Sequence, residues 1–211
     1  MPPDLAGTLL IQFARSPAIG GVKTRMQPAL SAREACDLHC ELVRWTARTL
    51  VGAQLGRVRL AVAGDTSDPL FGTCAALGVD EITSQTGEDL GQRMLHALAD
   101  ALESYDRVLL VGSDCPGIDR PYLVQALDAL NRAPLVLGPA ADGGYVLVGA
   151  RGECPPRGMF SDMDWGSSRV YAQTLERLRE SGRAWQELPI KTDIDRPEDL
   201  VVWEKLREQG A

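Results

Sequence analysis

Charged residues follow the ends of several apolar runs, and these are the places where chemistry can be assembled. After Thr8-Leu9-Leu10-Ile11-Gln12-Phe13 come Arg15, a loop with Pro17, Gly20 and Gly21, and then Lys23-Thr24-Arg25. After Arg107-Val108-Leu109-Leu110-Val111 comes Gly112-Ser113-Asp114-Cys115-Pro116. After Leu135-Val136-Leu137 comes Gly138-Pro139-Ala140-Ala141-Asp142-Gly143-Gly144, and near the C-terminus Thr192-Asp193-Ile194-Asp195-Arg196-Pro197-Glu198-Asp199. Basic groups behind one run and acidic groups behind others suit a metal-bridged polyphosphate. Lys23 and Arg25 can neutralise phosphate oxygens, Arg25 through a forked contact. Carboxylates repel phosphate unless a hard cation lies between them, and Mg²⁺ keeps substrate phosphates in its shell. Asp114 and Asp195 are the candidates to converge on such an ion.

Each assignment has a plainer competitor. Asp114 or Asp119 can cap the helix at Pro121. Lys23 and Arg25 can be solvated loop charges. Asp142-Gly143-Gly144 can be a hairpin turn. Asp193 and Asp195 can supply N-terminal charge to a last helix with Pro197 at its first position. Cys36, His39 and Cys40 share a helical face without a second ligand cluster, so core packing is expected of them. His96 has no nucleophile partner motif. Trp165, beside Gly166-Ser167-Ser168, can stack on a sugar or fill the core.

These residues need elements to hold them. The apolar run at Thr8–Phe13 predicts a buried strand. Ser31 and Glu34 form a capping box for a helix reaching about Leu50, with Leu38, Leu42, Trp45 and Thr49 on one face. Further strands are expected at 58–63, 80–83, 107–111, 135–137 and 145–148. Helices are expected at 69–77, 91–103, 121–131, 168–181 and 197–207. The 107–111 run is the most apolar, as suits a parallel strand covered on both faces. This alternation implies an α/β sandwich with a mainly parallel sheet. In such sheets ligands sit beyond the carboxyl ends of the strands, where the charged residues lie. Residues 151–164 read as a surface excursion or lid.

The composition bounds the function. The chain has 211 residues, 45% hydrophobic and 24% charged, so one globular domain is expected, spanning 1–211. The formal charge is -7, from 22 Lys plus Arg against 29 Asp plus Glu, which speaks against general nucleic-acid binding. No apolar run reaches the roughly 18 residues of a membrane span. The N-terminus lacks signal-peptide order, and the five cysteines are scattered, so a cytoplasmic protein with reduced thiols is expected. The phosphate-loop pattern G-x-x-x-x-G-K-[ST] and the dinucleotide pattern G-x-G-x-x-G are both missing.

Phe13-Ala14-Arg15-Ser16-Pro17 with Val22-Lys23-Thr24-Arg25-Met26 resembles the N-terminal signature of the bacterial DUF2064 proteins, often labelled glycosyltransferases. Gly87-Glu88-Asp89-Leu90-Gly91-Gln92-Arg93-Met94, the Gly112–Pro116 block, the Gly138–Tyr145 block and Asp193–Leu200 follow in the family's order. The resemblance implies the three-layer α/β/α GT-A fold of the nucleotide-diphospho-sugar transferase superfamily. It implies Mg²⁺ or Mn²⁺ at Asp114 and Asp195, and nucleotide phosphates at Lys23 and Arg25, with Arg15 in the same signature and Arg93 facing the nucleotide or donor pocket. Two positions depart from the pattern. Arg196 replaces the usual Thr after the late Asp, and Gly112 replaces the first Asp of D-x-D. A single strand-end Asp is closer to nucleotidyltransferases such as the molybdenum-cofactor and phospholactate guanylyltransferases. The leading expectation is transfer of a glycosyl group from a nucleotide-sugar to a small-molecule acceptor, with Lys23 stabilising the departing diphosphate and Asp142 on the acceptor side. The alternatives are nucleotidyl transfer from an NTP to a phosphorylated small molecule, and a non-catalytic nucleotide-binding protein.

Overall fold

A computed structural model describes residues 7–27 and 29–209. Its centre is a seven-stranded sheet in the order β3-β2-β1-β4-β6-β5-β7. The strands are β1 (Thr8–Arg15), β2 (Arg57–Ala63), β3 (Glu81–Ser84), β4 (Arg107–Gly112), β5 (Leu135–Pro139), β6 (Tyr145–Arg151) and β7 (Trp185–Glu187). Among the described residues, only β6 runs against its neighbours, pairing antiparallel with β4 and β5. The helices are α1 (Ala32–Ala53), α2 (Pro69–Ala76), α3 (Leu90–Leu102), α4 (Arg120–Leu130), α5 (Val170–Ser181) and α6 (Leu200–Gln209).

Strand alternation sorts the core into two layers. Leu10 and Ala14 of β1, with Leu109 and Val111 of β4, face α1, α2 and α4. Leu9, Ile11 and Phe13, with Val108 and Leu110, face α3 and α5. Successive side chains of a strand point to opposite faces, so an unbroken apolar run must be covered twice. Each fully buried Leu or Ile contributes roughly 1.5–3 kcal/mol. A third cluster joins Ala35, Leu38 and Leu42 of α1 to Met26, Ile194 and Trp203. Trp203 meets Trp45 edge-on, their centroids 5.2 Å apart.

The expected capping box is present, with Ser31 Oγ accepting from the Glu34 amide and Glu34 accepting from the Ser31 amide. Asp119 accepts from the Tyr122 amide and is the cap of α4. Asp114 therefore does not cap that helix. The helix α1 runs three residues beyond the expected end, to Ala53, and β7 is an addition that sequence patterning did not predict.

The chain order creates the site. From β1 it moves outward to β2 and β3, then returns to lay β4 on the other side of β1. That reversal opens a crevice at the carboxyl ends of β1 and β4, where such sheets bind ligands. Beyond β7, the Leu188 amide donates to Leu137, the Lys191 amide to Pro139, and the Ala141 amide to Lys191. Residues 188–191 thus continue along β5 and deliver Thr192–Asp195 to the same end of the sheet. Among the described residues, no helix is long and apolar enough to cross a membrane.

Candidate active site

Lys23 is the centre of the crevice. Its backbone takes φ 50° and ψ 37°, in the left-handed region, at the start of a 3₁₀ turn over Thr24–Met26. Met26 is fully buried beside Ile194 and Trp203 and fastens that turn to α1 and α6. The Lys23 side chain is 3% exposed. Its ammonium donates to the Ile194 carbonyl, lies 2.8 Å from Asp114 Oδ1 and 3.9 Å from Asp195 Oδ1. A buried ammonium is costly unless paired, and a left-handed non-glycine residue costs about 1–3 kcal/mol more. The two carboxylates offset the first cost, while the second is borne by the loop residue itself.

Arg25 extends the basic side. One guanidinium nitrogen donates to Asp195 Oδ2 at 2.8 Å, the other to the Gly166 carbonyl at 3.3 Å. Asp114 follows β4, and its carbonyl accepts from the Ile194 amide at 2.7 Å, which draws the two loops together. The Asp195 and Arg196 amides both donate to Asp199 Oδ2, so Asp199 holds this turn. Neither Lys23 nor Arg25 is a free loop charge, and Asp195 is committed to them rather than to a helix end alone.

Asp195 also borders a cleft of about 400 Å³. Its wall carries Asp142, Asp193, Asp195 and Asp199 against two cations, Arg25 and Arg196. Burial pushes the Asp193 carboxyl up to about 6, with the Asp142 and Asp195 charges adding to it. Asp142 is exposed at the tip of the β5–β6 hairpin, and its Oδ1 accepts from the Gly144 amide. It is both a turn residue and a wall residue. Gly143 has φ +90°, and a Cβ there would lie 2.2 Å from the Ser168 carbonyl oxygen. The Tyr171 amide donates to the Gly143 carbonyl. The backbone at 166–171 therefore seats directly on the hairpin and closes that side of the cleft.

Two expected phosphate ligands are not joined to this cluster by an ion pair among the described residues. Arg15 is exposed at the end of β1, where its carbonyl meets the His39 ring, and Arg93 donates from α3 to the Gly87 carbonyl at 3.0 Å. Neither forms an ion pair with Asp114 or Asp195. Sequence reasoning passed over Asp199 and Arg196 as wall residues, and treated Asp193 only as a helix-end charge. The Asp-x-Asp spacing at 193 and 195 was the available signal. Trp165 packs edge-on to Tyr145, centroids 6.4 Å apart, against the core layer under α3 and α5. Burial pushes the Cys115 thiol up to about 12, which favours its protonated form.

A divalent cation fits here only with help from substrate. Among the described residues, no three His, Cys, Asp or Glu side chains gather as a complete metal site. Asp114 and Asp195 offer hard oxygen donors at one end of the crevice, and Asp114 Oδ1 is buried without a hydrogen bond, opposed by the Lys23 charge. Two carboxylates completed by phosphate oxygens and water match how Mg²⁺ is usually held.

The sequence profile of DUF2064, described as an uncharacterized protein conserved in bacteria, matches residues 46–167. The chain belongs to the DUF2064 family. The match spans the Gly87, Gly112 and Gly138 blocks, while Lys23, Arg25 and Asp195 lie outside it. A crystal structure from Desulfovibrio desulfuricans G20, called a "putative nucleotide-diphospho-sugar transferase", is 30% identical, with a TM-score of 0.81 over 90% of this chain and 83% of that one. Two more distant structures share the fold. CMP:2-keto-3-deoxy-manno-octonic acid synthetase complexed with CTP is 14% identical, with a TM-score of 0.60 over 98% of this chain and 100% of that one. Rv0371c of Mycobacterium tuberculosis H37Rv in complex with manganese is 20% identical, with a TM-score of 0.52 over 95% and 97%. No curated protein matches the sequence. The DUF2064 chain thus has the expected α/β fold of nucleotide-diphospho-sugar transferases.

Proposed function

We propose that this DUF2064 protein is a transferase that moves a glycosyl group from a nucleotide-sugar to a hydroxyl-bearing small molecule. The observation that carries the reading is the division of charge at the crevice. Lys23 lies buried at the phosphate end beside Arg25, and the cleft that Arg25 and Asp195 border is lined by four carboxylates, with Arg196 as the second guanidinium. Lys23 and Arg25 suit a diphosphate. The acidic cleft suits a neutral polyol, whose hydroxyls donate to carboxylates, better than it suits the added charge of a triphosphate.

In this reading the acceptor oxygen attacks the anomeric carbon, and the bond from that carbon to the β-phosphate oxygen breaks. Asp142 accepts the acceptor's proton or orients its hydroxyl. Lys23 and Arg25 take up the charge that develops on the departing nucleoside diphosphate. Asp114 and Asp195 would hold Mg²⁺ or Mn²⁺, which when bound supplies further Lewis-acid stabilisation of the diphosphate. The manganese complex of Rv0371c and the CTP complex of the synthetase support a metal and a nucleotide on this fold. Nucleotidyl transfer is the second reading. It is favoured by the lone strand-end carboxylate, since Gly112 stands where a D-x-D motif has its first Asp.

Asp142→Asn tests the division of roles. Nucleotide-sugar binding in the presence of Mn²⁺, followed by thermal shift, should stay within about two-fold of wild type, because a ligand that binds the folded state raises apparent stability by mass action. Acceptor-dependent turnover should fall by roughly 10²–10⁴-fold, the usual contribution of a positioned base. Equal loss of binding and turnover would place Asp142 on the donor side instead.

A further inference from the structure

Gln12 is a polar residue in the middle of a strand that is otherwise apolar from Leu9 to Ala14. It is 0% exposed and lies in register between Leu60 of β2 and Val111 of β4. Its amide nitrogen donates to the Val43 carbonyl of α1 at 2.9 Å and to Ser113 Oγ at 2.9 Å. Its Oε1 is buried without a hydrogen-bond partner. Packing alone does not ask for this side chain. Leu10 and Ala14, which share its face, fill the layer with no orphaned acceptor, and an unsatisfied buried oxygen is a standing cost.

The amide has a definite consequence at Ser113. A hydroxyl that accepts from Gln12 must send its single proton elsewhere, and Ser113 Oγ donates to the Phe13 carbonyl at 2.8 Å. Thr46 Oγ1 donates to the Ser113 carbonyl at 3.3 Å. The residue before Asp114 is thus fixed through its side chain by β1 and through its carbonyl by α1. Asp114 in turn accepts from the Ile194 amide, and Ile194 accepts from Lys23. Hydrogen bonds, joined through the Ser113–Asp114 and Ile194 backbone, thus connect Gln12 to the ammonium.

We propose that Gln12 is a positioning residue, which through Ser113 sets Asp114 against Lys23 and beside Asp195. The proposal rests on the reading of Lys23 and Asp114 as the diphosphate end of the site. Its test is Gln12→Met, of similar length but without hydrogen bonds, with Ser113→Ala as a second variant should the first fold poorly. Two quantities are measured. One is amide hydrogen exchange at Ile194, Leu60 and Val111. The other is calorimetric affinity, with Mn²⁺, for whichever of UDP, GDP, ADP and CDP binds the wild type most tightly. The expected result is at least ten-fold faster exchange at Ile194, unchanged exchange at Leu60 and Val111, and at least ten-fold weaker diphosphate binding. Unchanged Ile194 exchange in a folded variant overturns the proposal. So does uniformly faster exchange along the strands, which is what a merely structural role would give, or faster Ile194 exchange with undiminished affinity. If the wild type binds none of the four diphosphates, the functional reading fails, and the pattern of exchange still decides the role of Gln12.

Discussion

Lys23 and Arg59 are two largely buried cations that each face two carboxylates, and they differ in almost everything else. Arg59 sits within β2, in ordinary strand backbone, and donates to Glu81 of β3 at 2.7 Å and to Asp100 of α3 at 2.6 Å. Its pairs strap an edge strand and a helix to the sheet. Lys23 sits in a loop, takes a left-handed backbone conformation, and buries its ammonium deeper, 3% exposed against 15% for Arg59. Its partners come from two loops at the carboxyl end of the sheet, and one of them, Asp195, borders the acidic cleft. An ion pair that stabilises a fold uses conformations the fold already favours. Under the proposed function, Lys23 bears its strain and desolvation for the diphosphate it would face.

Substitutions can separate these two cases, beginning with the largest expected effect. Lys23→Gly removes the ammonium and suits the local φ, so the backbone strain is relieved. Nucleoside-diphosphate affinity should drop by roughly 10- to 150-fold, the value of a charge-assisted bond of about 1.5–3 kcal/mol, while binding of the parent nucleoside changes little. Isothermal calorimetry with both ligands checks this. Equal loss for the two would mean that the loop had lost its shape. Asp114→Asn should abolish the Mn²⁺ dependence of that binding without unfolding the protein, read from titrations with and without the metal. An undiminished Mn²⁺ effect would show that Asp114 is not a ligand.

Smaller effects are expected farther from Lys23. Gly143→Ala forces a side chain to within 2.2 Å of the Ser168 carbonyl oxygen in a left-handed conformation. The hairpin or the 166–171 backbone must shift, at a cost on the order of 1–3 kcal/mol by chemical denaturation. Turnover should suffer more than diphosphate affinity, because the acceptor wall moves and the phosphate end does not. Arg59→Ala should give the smallest change in function. Its partly exposed pairs are worth up to about 1 kcal/mol each, so stability falls modestly and nucleotide affinity stays within two-fold. A large loss of affinity in Arg59→Ala would erase the distinction between the two cations.

Much of this arrangement was legible in the residues. The apolar runs at β1 and β4 and the Ser31–Glu34 box announced the sheet and the first helix, because their signals are local. The convergence of Lys23, Arg25, Asp114 and Asp195 followed from one rule, that ligands meet the carboxyl ends of parallel strands. What stayed hidden depends on distant neighbours. Trp185–Glu187 is too short to signal a strand and is one only because it pairs with β5. The burial of Lys23 needs Ile194, 171 positions away. Asp193 becomes crowded only when the hairpin brings Asp142 to it. Arg15 and Arg93 carry the right charge near the right motifs, yet their side chains lie outside the ion-pair cluster. Trp165, undecided between a sugar and the core, packs on Tyr145.

The central claim concerns which bond breaks, and one product analysis addresses it directly. The purified protein with Mn²⁺ is given nucleotide-sugars and a mixture of hydroxylated acceptors, and in a parallel reaction NTPs with mixed sugar-phosphates. Chromatography then resolves nucleoside diphosphate from pyrophosphate. The division of charge at the crevice predicts acceptor-dependent nucleoside diphosphate in the first reaction and no pyrophosphate in the second. Pyrophosphate released in proportion to sugar-phosphate, with nucleotide-sugars left intact, would contradict it.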